Sequence, residues 1–169
     1  MSQGKVLVYL VRRDLRVADN PILHHLSTAS DHGYTHLLPV YVFPSSQVEL
    51  SGFLRDGESS PYPEARSVVG GFWRTGPHRV KFLAQSVWDM KQSLEQLNGG
   101  LLLRVGSLVE VLRSIFDAFK GKSQQIGGVY MTEEKSWEEV QEQNDVEDVC
   151  KDHDVPYKLW PDEKYFIDE

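Results

Sequence analysis

The chain has 169 residues, 40% of them hydrophobic, one cysteine and a formal net charge of −7. That length fits one domain of ordinary size, with a core that needs no covalent staples. A single cysteine excludes a disulfide framework and a Cys-rich zinc site, no apolar run nears the roughly 20 residues of a membrane span, and the acidic balance argues against a general polyanion binder.

Met1-Ser2-Gln3-Gly4-Lys5 contains no signal-peptide core, and the apolar run Val6 to Val11 is short and ends in Arg12-Arg13. An intracellular location, cytoplasmic or nuclear, is therefore expected. Lys5 to Val11 is a continuous β-branched and aliphatic run, the pattern of a strand buried on both faces. A polar loop, Arg12 to Asp19, follows, and Asn20-Pro21 reads as N-cap and first helical residue of a helix through about Asp31, stopped by Gly33. His36 to Phe43 is a second strand, with Pro39 expected at an end or edge position. Residues 44–75 have no clear period and read as a long loop, unusual in a compact domain and often functional.

Gly76-Pro77 opens a long helix, His78 to Asn98, with Val80, Leu83, Ala84, Val87, Met90, Leu94 and Leu97 at helical spacing. Leu101 to Val105 is a third strand, and Ser107 to Glu110 has the spacing of a capping box opening a helix to about Lys120. Gly127 to Met131 is the fourth strand, an acidic helix runs from about Lys135 to Asp152 with Val140, Val146 and Val149 on its apolar side, and Val155 to Trp160 is the fifth strand. Five strands alternating with four helices predict an α/β fold: a doubly wound, mainly parallel, five-stranded Rossmann-like sheet with helices on both faces. Ligands on such sheets bind at the carboxyl ends of the strands.

The charge is concentrated. Residues 132–154 hold ten acids and two bases, so this stretch carries −8 and the rest of the chain +1. Most of these acids are expected on a solvated helix face, with one or two turned into a site.

Several chemistries find no support. No G-x-G-x-x-G or G-x-S-x-G occurs, and Gly121-Lys122-Ser123 imitates a phosphate loop only at its end, with Phe116 where the first glycine belongs. His24, His25, His32, His36, His78 and His153 are scattered, so no metal site is expected. Cys150, at core spacing, reads as a small buried hydrophobe. Trp88 and Trp160 are expected to pack, and Trp73 to serve an interface. Arg12, Arg13 and Arg16 suit phosphate, though pairing with Asp14 and Asp19 is the plainer expectation.

Val11 to Pro21 (VRRDLRVADNP) resembles the F-R-x-D-L-R-x-x-D-N opening of photolyases and cryptochromes, and Leu38 to Phe43 is similar to their second strand. Thr75 to Leu83 with Ser86 to Asp89 resembles the T-G-P-x-R-x-x-F-L-x-x-S-x-x-D stretch of the cryptochrome DASH subgroup; Leu159 to Tyr165 also resembles that subgroup, and Val68 to Arg74 its fungal members. The resemblance covers essentially the whole chain. It implies a blue-light-absorbing flavoprotein whose N-terminal α/β domain partners an antenna chromophore, usually methenyltetrahydrofolate. A larger C-terminal helical domain would hold FAD and the pyrimidine-dimer pocket, where light-excited reduced flavin donates an electron to the dimer. In the DASH subgroup this repair favours single-stranded DNA, and a photoreceptor role is also implied.

On this reading residues 1–169 are the antenna-binding domain without the helical one. FAD, DNA contacts and catalysis belong to the parent protein only. The absent helical domain is the expected partner, folate binding by this stretch alone is weak or absent, and self-association through the exposed interdomain surface is an expected side effect. The resemblance carries a pterin-binding carboxylate onto Glu134, with Glu133 beside it; a carboxylate suits the pterin because it accepts two parallel hydrogen bonds. Arg12 and Arg13 complete the candidate cofactor-binding set, although Arg13 departs from the family pattern, where many members carry Asn. The alternative is a stand-alone α/β interaction or dimerisation module without chromophore.

Overall fold

A computed structural model describes residues 4–48, 57–67 and 69–162. Its strands are β1 (Gly4–Val11), β2 (His36–Pro44), β3 (Leu102–Gly106), β4 (Gln124–Thr132) and β5 (Tyr157–Trp160). The helices are α1 (Pro21–Thr28), α2 (Pro77–Gln96), α3 (Leu108–Phe119) and α4 (Trp137–Asp152), and a 3-10 turn, Ser45–Gln47, follows β2. The strands lie in the order β3-β2-β1-β4-β5, and every neighbouring pair is parallel. β1 forms because it is apolar on both sides. Leu7, Tyr9 and Val11 meet α1 and α2 on one face, while Val8 and Leu10 meet α3 and α4 on the other.

The chain moves outward from β1 to β2 and β3, then crosses back to place β4 on the other side of β1. The loop leaving β1 and the loop leaving β4 therefore diverge. The crevice between their carboxyl ends is the topological switch point, and it holds Arg12-Arg13 and Glu133-Glu134.

The β1–α1 turn is built on a buried polar cluster. Tyr9, Asp14 and Asn20 are at most 1% exposed. The Tyr9 hydroxyl donates to Asp14 Oδ2, the Arg12 amide donates to Asp14 Oδ1 at 2.9 Å, and Asn20 Nδ2 donates to the Tyr9 oxygen at 2.7 Å. Asn20 Oδ1 meanwhile caps α1, accepting from the amides of Ile22 and Leu23 at 3.1 and 3.0 Å. Burial, reinforced by the Asp14 charge, pushes the Tyr9 phenol far above its ordinary range, so it stays a neutral donor.

Several local expectations change. α1 ends at Thr28 rather than Asp31, because the Ser27 and Thr28 hydroxyls both bond the His24 carbonyl at 2.8 Å and Ala29 turns extended. Gly33, with φ +76°, serves the following loop instead of the helix end. The Ser107 side chain makes no capping bond, so the expected capping box does not form. Pro39 lies inside β2, opposite Tyr9 of β1, rather than at the end or edge position expected, and pairing with β3 starts only at the next residue, Val40. α4 begins at Trp137, two residues later than expected. Only Val87, Met90 and Leu94 of α2 are buried; Ala84 and Leu97 are exposed, as is Trp88 at 55%, which overturns its expected packing role.

The long loop, within its described part, contains a hairpin. Arg66 bridges Trp73 in antiparallel fashion, the Arg74 amide donates to the Ala65 carbonyl at 2.7 Å, and the Arg66 guanidinium lies 4.1 Å from the Trp73 ring centre. Trp73 is thus held inside its own hairpin. Residues 49–56, Val68 and the tail from Glu163 onward, on which part of the family resemblance rests, lie outside the described residues.

Asn20→Ala removes a cap and a partner of a buried hydroxyl together, and is expected to cost about 2–3 kcal/mol in urea denaturation; a loss below about 0.5 kcal/mol would show the cluster to be dispensable. Cys150 is fully buried, and burial pushes its thiol up to about 12, as it does the Tyr41 phenol. Ellman's reagent should leave Cys150 untouched in the folded chain and modify it in guanidinium chloride. Unfolded thiol and phenol titrate near about 8.5 and 10. The stability these groups contribute is complete below those values and is lost as pH rises toward 12, so the denaturation midpoint should fall on the alkaline side; a flat midpoint across that window would contradict the burial.

Candidate functional site

Three arginines leave the β1 end, and none pairs with the side chains expected. Arg12 reaches Glu142 on α4 at 2.6 Å, Arg13 pairs with Glu139, and Arg16 pairs with Asp162 at 2.6 Å while its Nε donates to the Asp19 backbone carbonyl. Asp14 is turned inward, where it accepts from the Tyr9 hydroxyl and the Arg12 amide. Asp19, exposed with φ +55°, gives Arg16 its backbone carbonyl as hydrogen-bond acceptor. From the hairpin, Arg74 reaches Glu138 at 2.9 Å. The acidic helix is therefore not simply a solvated face: Glu139 and Glu142 hold the adjacent Arg13 and Arg12 of the β1–α1 loop, and Glu138 holds Arg74 of the hairpin.

The two inner pairs differ physically. Arg12 is 10% exposed at its side chain and Arg13 62%. Burial raises the Glu142 carboxyl above its ordinary range, and Arg12 opposes that shift without reversing it.

On the β4 side, Thr132 is buried and Glu133 and Glu134 are half-buried. The Glu133 amide donates to the Trp160 carbonyl at 2.8 Å, prolonging the β4–β5 ladder by one residue, and Lys135 Nζ meets Glu133 Oε1 at 2.6 Å. The Glu134 amide donates to Gln143 Oε1 at 2.6 Å. The same oxygen accepts from Arg12 Nη1 at 3.5 Å. Gln143, 4% exposed, thus joins the two sides of the crevice. It is a site residue that the reading of motifs missed. Its signal was its position on the stripe Gln143, Val146, Val149 and Cys150, where a polar side chain at core spacing demands a partner.

Two further polar atoms flank the site. Thr132 Oγ1 and Trp160 Nε1 are buried without a hydrogen-bond partner among the described residues, and the two residues are opposite each other in the β4–β5 register. Trp160 packs as expected, its ring 4.7 Å from His25 and 5.6 Å from Tyr130, with Lys158 Nζ 3.6 Å above it. The crevice thus presents half-buried carboxylates as acceptors, arginines already balanced by acids, and two unpartnered polar groups. Such a set suits a neutral heteroaromatic ligand rich in N–H donors better than a phosphate.

A family model described as DNA photolyase matches residues 7–165. The chain belongs to the DNA photolyase family. It is 52% identical over its whole length to a putative cryptochrome DASH of Gibberella zeae and 48% identical over 99% of its length to a putative mitochondrial cryptochrome DASH of Neurospora crassa. These matches cover 24% and 23% of those proteins, so the chain spans about a quarter of their length. A cryptochrome of Synechocystis sp. PCC6803 has the same fold, with a TM-score of 0.69 at 23% identity over 95% of this chain and 28% of that one. A photolyase of Sulfolobus tokodaii, described with two FAD molecules, superposes with a TM-score of 0.66 at 16% identity over 92% of this chain and 29% of that one. Among the described residues no helix is long and apolar enough to cross a membrane. The expected cytoplasmic or nuclear location gains no support, since the Neurospora relative is named as mitochondrial.

The photolyase-family loop between β1 and α1 should therefore be anchored unequally. Arg12→Met leaves Glu142 without its cation in a partly buried place and is expected to cost about 2 kcal/mol in chemical denaturation, whereas Arg13→Met should stay within about 0.5 kcal/mol. Equal, small losses would reduce the Arg12 pair to a surface contact.

Proposed function

We propose that this chain is the antenna-binding α/β domain of a cryptochrome DASH-type flavoprotein and that it holds a reduced folate, methenyltetrahydrofolate, at the crevice between β1 and β4. The observation that carries the reading is the half-buried carboxylate pair Glu133-Glu134 at the carboxyl end of β4, on the switch point of the sheet. In this assignment Glu134 accepts two parallel hydrogen bonds from the pterin amino and ring nitrogens, and Glu133, partly neutralised by Lys135, sits beside it. Arg12, locked to Glu142, frames the pocket, while Arg13, paired with Glu139 but largely exposed, lies at its rim, where a carboxylate of the folate tail would share it. The unpartnered Thr132 hydroxyl and Trp160 indole N–H supply further polar contacts for a buried heteroaromatic edge. When bound, the folate supplies near-UV absorption and passes that energy to flavin.

The wider assignment follows from length. Relatives of about four times this size have room for a helical domain carrying FAD, and that part would be the partner of this one. An Arabidopsis thaliana relative, 30% identical over 168 residues, is named a blue-light photoreceptor, and the Sulfolobus tokodaii photolyase is described as implying a light-harvesting cofactor. The complete protein is accordingly read as a photoreceptor, a light-driven repair enzyme for cyclobutane pyrimidine dimers in single-stranded DNA, or both. This domain alone is not catalytic.

Full-length protein purified in the dark is expected to show folate absorption in the near-UV, and Glu134→Ala should lose that band while leaving the flavin bands in place. An unchanged folate band in Glu134→Ala would remove this residue from the site. The 169-residue chain by itself should bind folate weakly or not at all, because the ligand is read as lying between two domains; tight stoichiometric binding to it would contradict that placement.

A further inference from the structure

We propose that Gln143 is the positioning residue for Glu134: its side-chain oxygen holds the Glu134 amide, and so sets the carboxylate that receives the ligand. The inference rests on the folate reading of Glu134 but is carried by a different observation. Two donors converge on one end of the Gln143 amide, the Glu134 backbone N–H at 2.6 Å and Arg12 Nη1 at 3.5 Å. A backbone N–H and a guanidinium can only donate, so the atom they share is the oxygen, and both of its lone pairs are used. Gln143 is 4% exposed, so water does not replace either contact readily. The contact spans nine residues, from the loop after β4 to the second turn of α4.

What the place requires is an acceptor oxygen. Glu139 lies one turn earlier on α4, while Glu142, the preceding residue, points in another direction. A carboxylate at 143 would lie near Glu139, and the Arg12 guanidinium that already donates to this position would offset its charge. The amide supplies an acceptor with no added charge. Through the same oxygen it links Glu134 on the β4 side to Arg12 on the β1 side, so the two walls of the crevice keep a fixed separation. Gln143 touches no ligand in this account; it acts through Glu134.

The test uses full-length protein, titration with methenyltetrahydrofolate and amide hydrogen exchange. Gln143→Met keeps the volume and removes the acceptor. It is expected to weaken folate binding about tenfold, the factor that one lost buried hydrogen bond of ordinary strength represents, and to speed exchange of the Glu134 amide, with flavin absorption unchanged. Gln143→Glu keeps an acceptor oxygen facing Arg12 and should bind folate within about twofold of the native protein. Native-like folate binding and native-like Glu134 exchange in Gln143→Met would overturn the proposal. Where Gln143→Met does not fold, Gln143→Glu decides: a folded variant with binding lost as fully as in Glu134→Ala also overturns it. If Glu134→Ala itself binds folate normally, the ligand reading fails, and the exchange rate of the Glu134 amide still reports separately on whether Gln143 holds this loop.

Discussion

The carboxylate of Asp14 is the fixed point from which the functional end of the sheet is built. It lies almost wholly buried, where an isolated charge would be expensive, and it is tolerated because a phenol and a backbone amide both donate to it. Those two bonds fold the chain back immediately after β1. Asn20 completes the turn by serving α1 with its oxygen and Tyr9 with its nitrogen. With Asp14 engaged inward, Arg12 and Arg13 extend across the crevice to α4. The recurring Arg-x-Asp-Leu-Arg pattern of this family is thus, in this chain, an architectural device first. Its acid faces the core, Arg12 and Arg13 face a helix more than a hundred residues away, and Arg16 reaches Asp162 beyond β5.

That helix resolves what the net charge means. The acids of residues 132–154 do not form one undifferentiated surface. Glu138, Glu139 and Glu142 receive the hairpin and the β1–α1 loop, so the negative potential at the carboxyl end of the sheet is partly neutralised before any ligand arrives. A site arranged this way favours ligands recognised by directional hydrogen bonds over ligands held by bulk charge. It also makes the hairpin a structural neighbour of the site, although its sequence looked like an unstructured loop.

The fold was legible in the chain because its signals are local. Apolar runs of strand length, Asn20-Pro21, Gly76-Pro77 and Asn98-Gly99 each mark an element within a few residues, and alternation alone predicts a parallel sheet. The placement of Glu133 and Glu134 at a strand end follows from the same logic. What stayed hidden is what depends on distant partners. Arg12 with Glu142 and Arg13 with Glu139 join segments 130 and 126 residues apart, and nothing near either end announces the match, so the nearby Asp14 and Asp19 looked the better partners. Trp88 misled for the opposite reason. It follows the buried Val87 by one residue, so on a helix of correct period it faces away from the core that Val87, Met90 and Leu94 meet.

The strand order also governs when the domain can assemble. β1 is made first and ends in the middle of the sheet, yet its neighbour on one side is β4, whose residues begin at Gln124. Until then a long apolar strand presents a bare edge, the kind of surface that invites pairing with another chain. The arginine partners arrive later still, with α4. During synthesis the crevice is therefore among the last features to close, and a ribosome that pauses before residue 124 leaves β1 exposed to misassembly.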